Sequence, residues 1–274
     1  MKIAKLEVSV ILAVYNENRY LETCLDSLAN QRGVNYEVIV VDDGSHKRVV
    51  NNQLTVKSNF IIFRIKHSGT AKARNFGARK AKGKILVFID GDMKFTPDFL
   101  ERLTGPIRRK KTNGTFSTEE YVANWENIYA RCWNWENNLP DRRRIDQKRI
   151  DMVKDFRAIL KSEFEKVKGF DDIGYTDTWT LTDKLGYQPE PVRNAVYFHF
   201  NPDSLKEVFC HSVWIGGRKR KYGLLGKLFA LVRASMPLSV LTGLVKATSK
   251  ENFRFVVFKI VYDLGIFAGI LGSL

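Results

Sequence analysis

The sequence predicts an α/β fold: a mainly parallel sheet with helices on both faces, followed by a basic, apolar helical tail. Three features of the first hundred residues predict it. Runs of strand length are apolar at nearly every position, the segments between them repeat their apolar residues with helical spacing, and polar residues gather where the apolar runs end. Strands too apolar to be exposed on either face and separated by helices belong to a parallel sheet covered on both sides. With 274 residues, 44% of them apolar and 27% charged, the chain can bury a sizeable core, as one large domain or one plus an appendage.

The elements follow in order. Val8 to Val14 is the first buried strand, and Leu21, Cys24, Leu25 and Leu28 then recur at i, i+3, i+4 and i+7, one face of a helix. Glu37 to Val41, Phe60 to Phe63 and Lys84 to Ile89 are further strands. Between the last two, Ala71, Asn75 and Ala78 lay a stripe of small residues along a helix that ends near Gly83. Thr96-Pro97 reads as a cap and first-turn pair for a helix carrying Leu100, Leu103 and Ile107. Residues 113 to 160, with Trp125, Trp133 and Trp135 among polar neighbours, read as loops and short elements around a site. Ser162-Glu-Phe-Glu165 is a capping box for a short helix closed by Gly169, and another helix is expected from Thr176-Asp177 to Gly186.

Composition narrows the function classes. Cys24, Cys132 and Cys210 are odd in number and show no CxxC pairing, which argues against a disulfide framework or a zinc knuckle and suits a reducing compartment. Met1-Lys2 runs into a strand-like segment without a secretory pattern, so a cytosolic location is expected for the first part of the chain. The net charge of +15 calls for a polyanionic partner. From Leu205 to Leu274 there are eleven Lys or Arg against three Asp or Glu among many Leu, Phe, Val and Ile. Basic and apolar together favour a membrane surface. Nucleic acid is not an expected partner, because no helix-turn-helix or base-stacking motif accompanies the charge. Arg254, Lys259 and Asp263 interrupt the last apolar segment, so amphipathic helices in the interface suit it better than a span.

Ligands of parallel sheets bind at the carboxyl ends of the strands, and three strand exits here are acidic. Val14 leads into Tyr15-Asn16-Glu17, Val41 into Asp42-Asp43-Gly44-Ser45, and Ile89 into Asp90-Gly91-Asp92. Hard carboxylate oxygens at Asp90 and Asp92 suit Mg²⁺ or Mn²⁺, which bridge protein carboxylates and substrate phosphates. A bare D-x-D is a weak signal, because acidic residues in turns are usually structural, but the strand before it and two more acidic strand exits favour the functional use. Asp42 and Asp43 read either as a turn with a helix cap or as hydrogen-bonding groups for a nucleoside. Arg74 reads either as a solvated side chain or as a phosphate contact.

Ala13-Val-Tyr-Asn-Glu17, Val40-Val-Asp-Asp-Gly-Ser45, Ala73-Arg-Asn-Phe-Gly77, Ala81-Lys-Gly83 and Phe88-Ile-Asp-Gly-Asp92 together resemble the successive signatures of inverting family 2 glycosyltransferases of the GT-A fold. The likeness extends over roughly the first two hundred residues. It implies a Rossmann-like, nucleotide-diphospho-sugar transferase fold with a mixed, mainly parallel sheet. It also implies a nucleotide-diphosphate sugar donor held by Ala13, Tyr15, Glu17, Asp42, Asp43, Arg74, Asp90 and Gly91, and a metal ion at Asp90 and Asp92. His199, in Tyr197-Phe-His-Phe, resembles the family's late histidine near metal and diphosphate; its other reading is a core histidine beside aromatics. Gly174-Tyr-Thr-Asp-Thr-Trp-Thr-Leu181 is similar to the stretch where an acidic pair precedes a helix and supplies the base, but that pair falls on Asp177-Thr178. A threonine cannot serve as a general base at neutral pH. Either Asp177 takes the task, or the acceptor arrives ionised, as a lipid phosphate would; Asp177 as a plain helix cap is the alternative.

The expected organisation is a catalytic domain over 1–204, with a nucleotide-binding half at 1–111 and an acceptor half at 112–204. Residues 205–274 then form a membrane-associated helical region, entered through Trp214-Ile-Gly-Gly-Arg218. The expected acceptor is lipid-linked or a glycan, at the cytoplasmic face of the cell membrane. A non-catalytic nucleotide-sugar-binding protein is the competing reading, motivated by Thr178.

Overall fold

A computed structural model describes residues 6–16, 19–49, 59–173, 177–218 and 222–273. They divide into two compact units, Met1–Tyr121 with Ile145–His199, and Val122–Arg144 with Phe200–Leu274.

The first unit is built on β1 (Val8–Val14), β2 (Tyr36–Asp42), β3 (Phe60–Arg64) and β4 (Ile85–Ile89), all mutually parallel in the order β3-β2-β1-β4. All of β2 is buried, as a strand covered on both faces must be. Side chains alternate between two layers with the period of a strand. Val8, Val10, Leu12 and Val14 face one layer with Leu21, Cys24, Leu25 and Leu28 of α1 (Leu21–Ala29) and the apolar stripe of α3 (Phe99–Arg108). Ile11, Ile39, Val41, Leu86 and Phe88 face the other, against the alanines of α2 (Thr70–Lys80). The small-residue stripe lets α2 lie close to the sheet: a Cβ on Gly77 would stand 2.7 Å from Ile11 Cγ2.

Beyond β4 the sheet turns mixed. Antiparallel β8 (Ala158–Leu160) joins β4, β6 (Gly114–Ser117) runs antiparallel to β8, and β9 (Glu190–Val192) lies parallel to β6, completing seven strands. A second sheet orders β5 (Met93–Phe95), β10 (Tyr197–His199) and β7 (Glu120–Val122). The fold class read from the sequence is therefore the one observed, and the stretch read as loops supplies two strands of the main sheet.

Local details differ from expectation. α3 starts at Phe99 after Asp98, two residues beyond Thr96-Pro97, whose threonine hydroxyl donates to Asp98 Oδ1 at 2.9 Å. In α5 (Lys161–Lys166) the N-cap is Leu160 with no side-chain cap, so Ser162 lies inside the helix and the capping box does not form. α6 (Thr180–Leu185) follows a single 3-10 turn at Asp177–Trp179 and stops at Gly186, whose φ of 75° is left-handed.

The second unit contains α4 (Ile128–Glu136), α7 (Leu205–Gly216), α8 (Gly223–Arg233), α9 (Met236–Ser249) and α10 (Arg254–Leu271). The tryptophans left among polar residues in sequence find their partners here: Trp133 and Trp135 pack with Cys132, Val208, Phe255 and Phe258. The break falls between 199 and 200 rather than at 204, and 122–144 joins the C-terminal helices instead of an acceptor half. One face of α10 packs into this unit, with Phe255, Phe258, Lys259, Asp263, Ile266 and Ile270 buried. A Cβ on Gly216 or Gly265 would meet the opposing backbone of α7 and α10, so the two helices touch through their glycines. Lys259 is buried between Glu136 (2.8 Å) and Asp263 (2.9 Å), and Asp263 accepts from Ser239 Oγ at 2.7 Å. Exposed apolar residues are most numerous on α8 and α9, at Leu225, Phe229, Val232, Leu241 and Val245 among others, and the outer face of α10 adds Val257, Leu264, Phe267 and Leu271. Among the described residues no single helix is long and apolar enough to cross a membrane, although α8 and α9 would pass as a pair bent by 62°.

Candidate functional site

The predicted site residues that the structure describes lie in the first unit, most of them at or near the carboxyl ends of its strands, with Arg74 on α2 and Asp177 in the 3-10 turn before α6. At the end of β2, Asp42 Oδ1 accepts from Ser45 N at 2.8 Å and Oδ2 from Arg64 Nη1 at 3.1 Å. Asp43 Oδ1 accepts from Ser68 N and Oδ2 from Gly69 N, both at 2.9 Å, so this carboxylate neutralises the amino end of α2 from outside the helix. Both aspartates are buried, and in this structure they do the work of turn and cap. The β1 exit is tied to them, because Asn16 N donates to Ser45 Oγ at 2.9 Å and Asn16 Oδ1 accepts from His46 N at 2.8 Å. Ala13 lies in β1, and Tyr15 is exposed and stacked on His67 with ring centroids 4.0 Å apart. A depression of about 610 Å³ beside them is lined by Gly44, Arg48, Arg64, Ile65, Lys66 and His67, an aromatic and cationic surface of the kind a nucleotide binds. Glu17 lies outside the described residues.

The exit of β4 concentrates charge. Arg74, buried in the second turn of α2, donates from Nη2 to Asp90 Oδ1 at 2.6 Å, so it is not the solvated side chain that spacing alone allowed. Arg157 Nη1 stands 3.6 Å from Asp90 Oδ2 and donates to Phe88 O at 3.2 Å. Burial opposes the Arg157 charge, but Tyr197, Asp90, Asp155 and Glu120 around it hold the guanidinium protonated. Gly91 is buried in the turn that carries the chain back into β5. Asp92 Oδ2 lies 3.1 Å from His199 Nε2, while His199 Nδ1 lies 2.9 Å from Glu120 Oε1. In the tautomer that donates Nδ1–H to Glu120, Nε2 presents its lone pair beside Asp92, the arrangement of a metal-binding histidine oriented by an outer carboxylate.

The fit to a divalent cation rests on Asp92, whose Oδ1 is buried without a hydrogen-bond partner. Such an atom costs free energy unless something completes it. Among the described residues no three acidic, histidine or cysteine side chains converge into a closed cage. An Mg²⁺ or Mn²⁺ site shared with a diphosphate needs only one or two protein carboxylates.

A cavity of about 460 Å³ opens on the other side of this cluster, lined by Glu120, Asp155, Arg157 and Tyr197 together with apolar Phe116, Ile145, Met152, Val153 and Trp179. Asp177 opens the 3-10 turn that carries Trp179, its side chain lying outside the described residues. The sequence reading missed Arg157, Glu120 and Asp155. Arg157 had one available signal, an arginine leading straight into the apolar run Ala158-Ile-Leu160. The motif Ala73-Arg-Asn-Phe-Gly77 gains a reason at each polar or small position: Arg74 pairs with Asp90, Asn75 exchanges hydrogen bonds with the Phe170 backbone at 2.8 and 3.0 Å, and Gly77 admits the sheet.

A family model described as glycosyl transferase family 2 matches residues 9–168. The dolichol-phosphate mannosyltransferase of Pyrococcus furiosus is 33% identical over 107 residues, 38% of this chain and 30% of that protein. The matches span between 14% and 40% of the length of the curated relatives. Among solved structures, the mannosyltransferase of Pyrobaculum calidifontis in complex with GDP-Man and Mn²⁺ superposes with a TM-score of 0.60 at 16% identity, covering 99% of this chain and 88% of that one. Residues 1–349 of Staphylococcus aureus TarS in complex with UDP-GlcNAc superpose with a TM-score of 0.58 at 15% identity, covering 95% and 92%. These likenesses show the GT-A arrangement of the fold.

The charge cluster predicts a pH dependence. Burial pushes the Asp90 carboxyl up, but Arg74, Arg157 and His199 outweigh it and hold the group below its ordinary 3.8. A carboxyl depressed in the folded state contributes stability that is complete above its unfolded value and fades as pH falls through the folded one. Asp90→Asn is therefore expected to cost roughly 2 kcal/mol at neutral pH. In urea titrations its gap from the wild type should close as pH drops below 3.8, and a gap independent of pH would contradict the ion-pair account.

Proposed function

The chain belongs to glycosyl transferase family 2, and from that premise we propose that it moves a sugar from a nucleotide-diphosphate donor to a lipid-linked acceptor, with inversion and with the help of Mg²⁺ or Mn²⁺. The observation that carries the reading is the β4 exit. There a buried, unpartnered Asp92 oxygen, a histidine nitrogen and two guanidiniums gather beside a cavity.

The nucleoside is assigned to the depression by Tyr15 and His67, where the ring face of Tyr15 offers stacking and the rim is cationic. Asp42 and Asp43 keep that rim in shape through the turn and the capped start of α2, and reach the nucleoside only if a bound donor displaces some of their present partners. Asp92 and His199, with Asp90 alongside, would hold the cation, whose chemistry there is neutralisation of charge on the leaving diphosphate. Arg74 and Arg157 supply fixed positive charge at the same rim and need no reorganisation when the glycosidic bond breaks. The acceptor oxygen attacks from the 460 Å³ cavity, opposite the leaving group, which inverts the anomeric carbon. Holding both reactants in line supplies much of the acceleration.

Two observations support a lipid-linked acceptor: the exposed apolar residues of α8 and α9 with Lys227, Arg233 and Lys250 on the same helices or directly after them, and a relative named for dolichol phosphate. The partner assigned to α8 and α9 is an anionic membrane surface.

Thermal unfolding should report the donor, because a ligand of the native state raises the melting temperature. With Mn²⁺ present, UDP-GlcNAc or GDP-mannose is expected to raise it by several degrees, and Asp92→Asn to abolish the metal-dependent part of the shift while remaining folded. A panel of nucleotide sugars that leaves the wild type unmoved would defeat the proposal. For the membrane, flotation with vesicles containing phosphatidylglycerol should carry the wild type upward and leave Leu225→Glu/Phe229→Glu behind; equal flotation of both would remove α8 from the interface.

A further inference from the structure

We propose that Asp155 takes the proton from the acceptor, and hence that the acceptor presents a sugar or other hydroxyl group rather than an ionised phosphate. The inference rests on the transferase reading and assigns the base that the sequence left open at Asp177-Thr178.

The cavity beside the β4 exit is lined by two carboxylates, Glu120 and Asp155. Glu120 is committed to His199 Nδ1 at 2.9 Å, where losing its charge would disturb the metal-side histidine. Asp155 Oδ1 is buried without a hydrogen-bond partner, an arrangement that a native structure keeps only for a reason. Asp155 stands two residues before Arg157, the guanidinium held by Phe88 O and Asp90, so the backbone ties its position to the diphosphate rim. Thr178 precedes Trp179 in the wall of the same cavity, and a carboxylate across that space can do there what the threonine hydroxyl cannot. Trp179, half exposed, gives the cavity an aromatic face of the sort on which sugar rings rest.

The step balances. The acceptor O–H bond breaks as Asp155 accepts the proton, and the oxygen's electron pair forms the bond to the anomeric carbon. The bond from that carbon to the diphosphate oxygen breaks with its electrons on the leaving nucleoside diphosphate. The proton then passes from Asp155 to water, which restores the carboxylate.

The test uses the full chain with Mn²⁺ and UDP-GlcNAc or GDP-mannose, scoring nucleoside diphosphate release with water and with octyl glycosides as acceptors. Asp155→Asn is expected to keep the donor-induced thermal shift of the wild type, to lose about a hundredfold or more in kcat, and to lose the acidic limb of the pH profile. A purely structural role would not move that limb. Asp155→Glu, which retains the charge a methylene further out, should keep the limb at a lowered kcat, and it serves as the readout if the asparagine variant fails to fold. Asp155 variants with the kcat and pH profile of the wild type would overturn the assignment, as would loss of the limb in Asp177→Asn instead. A wild type that neither binds nor cleaves any donor defeats the transferase reading itself, a result distinguishable from either.

Discussion

Asp90 holds together two parts of the first unit that the chain keeps far apart. Its carboxylate pairs with Arg74 from α2 on one side and faces Arg157, just before β8, on the other, while the chain around it is leaving β4. Each guanidinium is substantially buried, and neither would be tolerated there without a counter-charge. The pairing fixes the start of α2 with its Asp43 cap, the segment leading into β8 with Asp155, and the turn that presents Asp92. Everything assigned to the donor, the cation and the acceptor is arranged around this cluster. That includes His199, which meets Asp92 through one nitrogen and Glu120 through the other.

Much of this was legible in the sequence because a parallel sheet writes its strands as unbroken apolar runs. Val8–Val14 was read to its observed ends, and Asp90-Gly-Asp92 emerges at a strand exit because the apolar run Ile85 to Ile89 is buried on both faces, one residue shorter than the run read from Lys84. What stayed hidden has a common cause. The strands β6, β8 and β9 are three or four residues long and are made by pairing across distances in sequence, so no periodicity announces them. Arg157, Glu120 and Asp155 sit on or beside such short strands, and a lone charged residue in an irregular stretch looks like surface. Asp42 and Asp43 teach the reverse lesson. Their identities were conspicuous, yet in the folded chain both are occupied by backbone amides, Arg64 and the serines, a competition among partners that spacing does not reveal.

The second unit shows why charge inside an apolar segment needs its partners before it can be read. Lys259 and Asp263 are one helical turn apart on α10 and pair with each other, with Glu136 and with Ser239, so they mark the buried side of the helix and not a wetted one. The exposed apolar residues are most numerous on α8 and α9, shorter helices that the sequence did not set apart from α10, whose outer face carries Val257, Leu264, Phe267 and Leu271. Glycines explain the difference. Gly216, Gly265 and Gly269 allow α7 and α10 to meet backbone to backbone, which buries one face of α10.

The central claim is that the carboxylates at the end of β4 receive a diphosphate through a divalent cation. Anomalous diffraction at the manganese edge, from crystals grown with UDP or GDP and Mn²⁺, tests it directly. The account requires a manganese peak in coordinating contact with both Asp92 Oδ1 and the diphosphate, and a nucleotide bound with its cation away from Asp92 would contradict it.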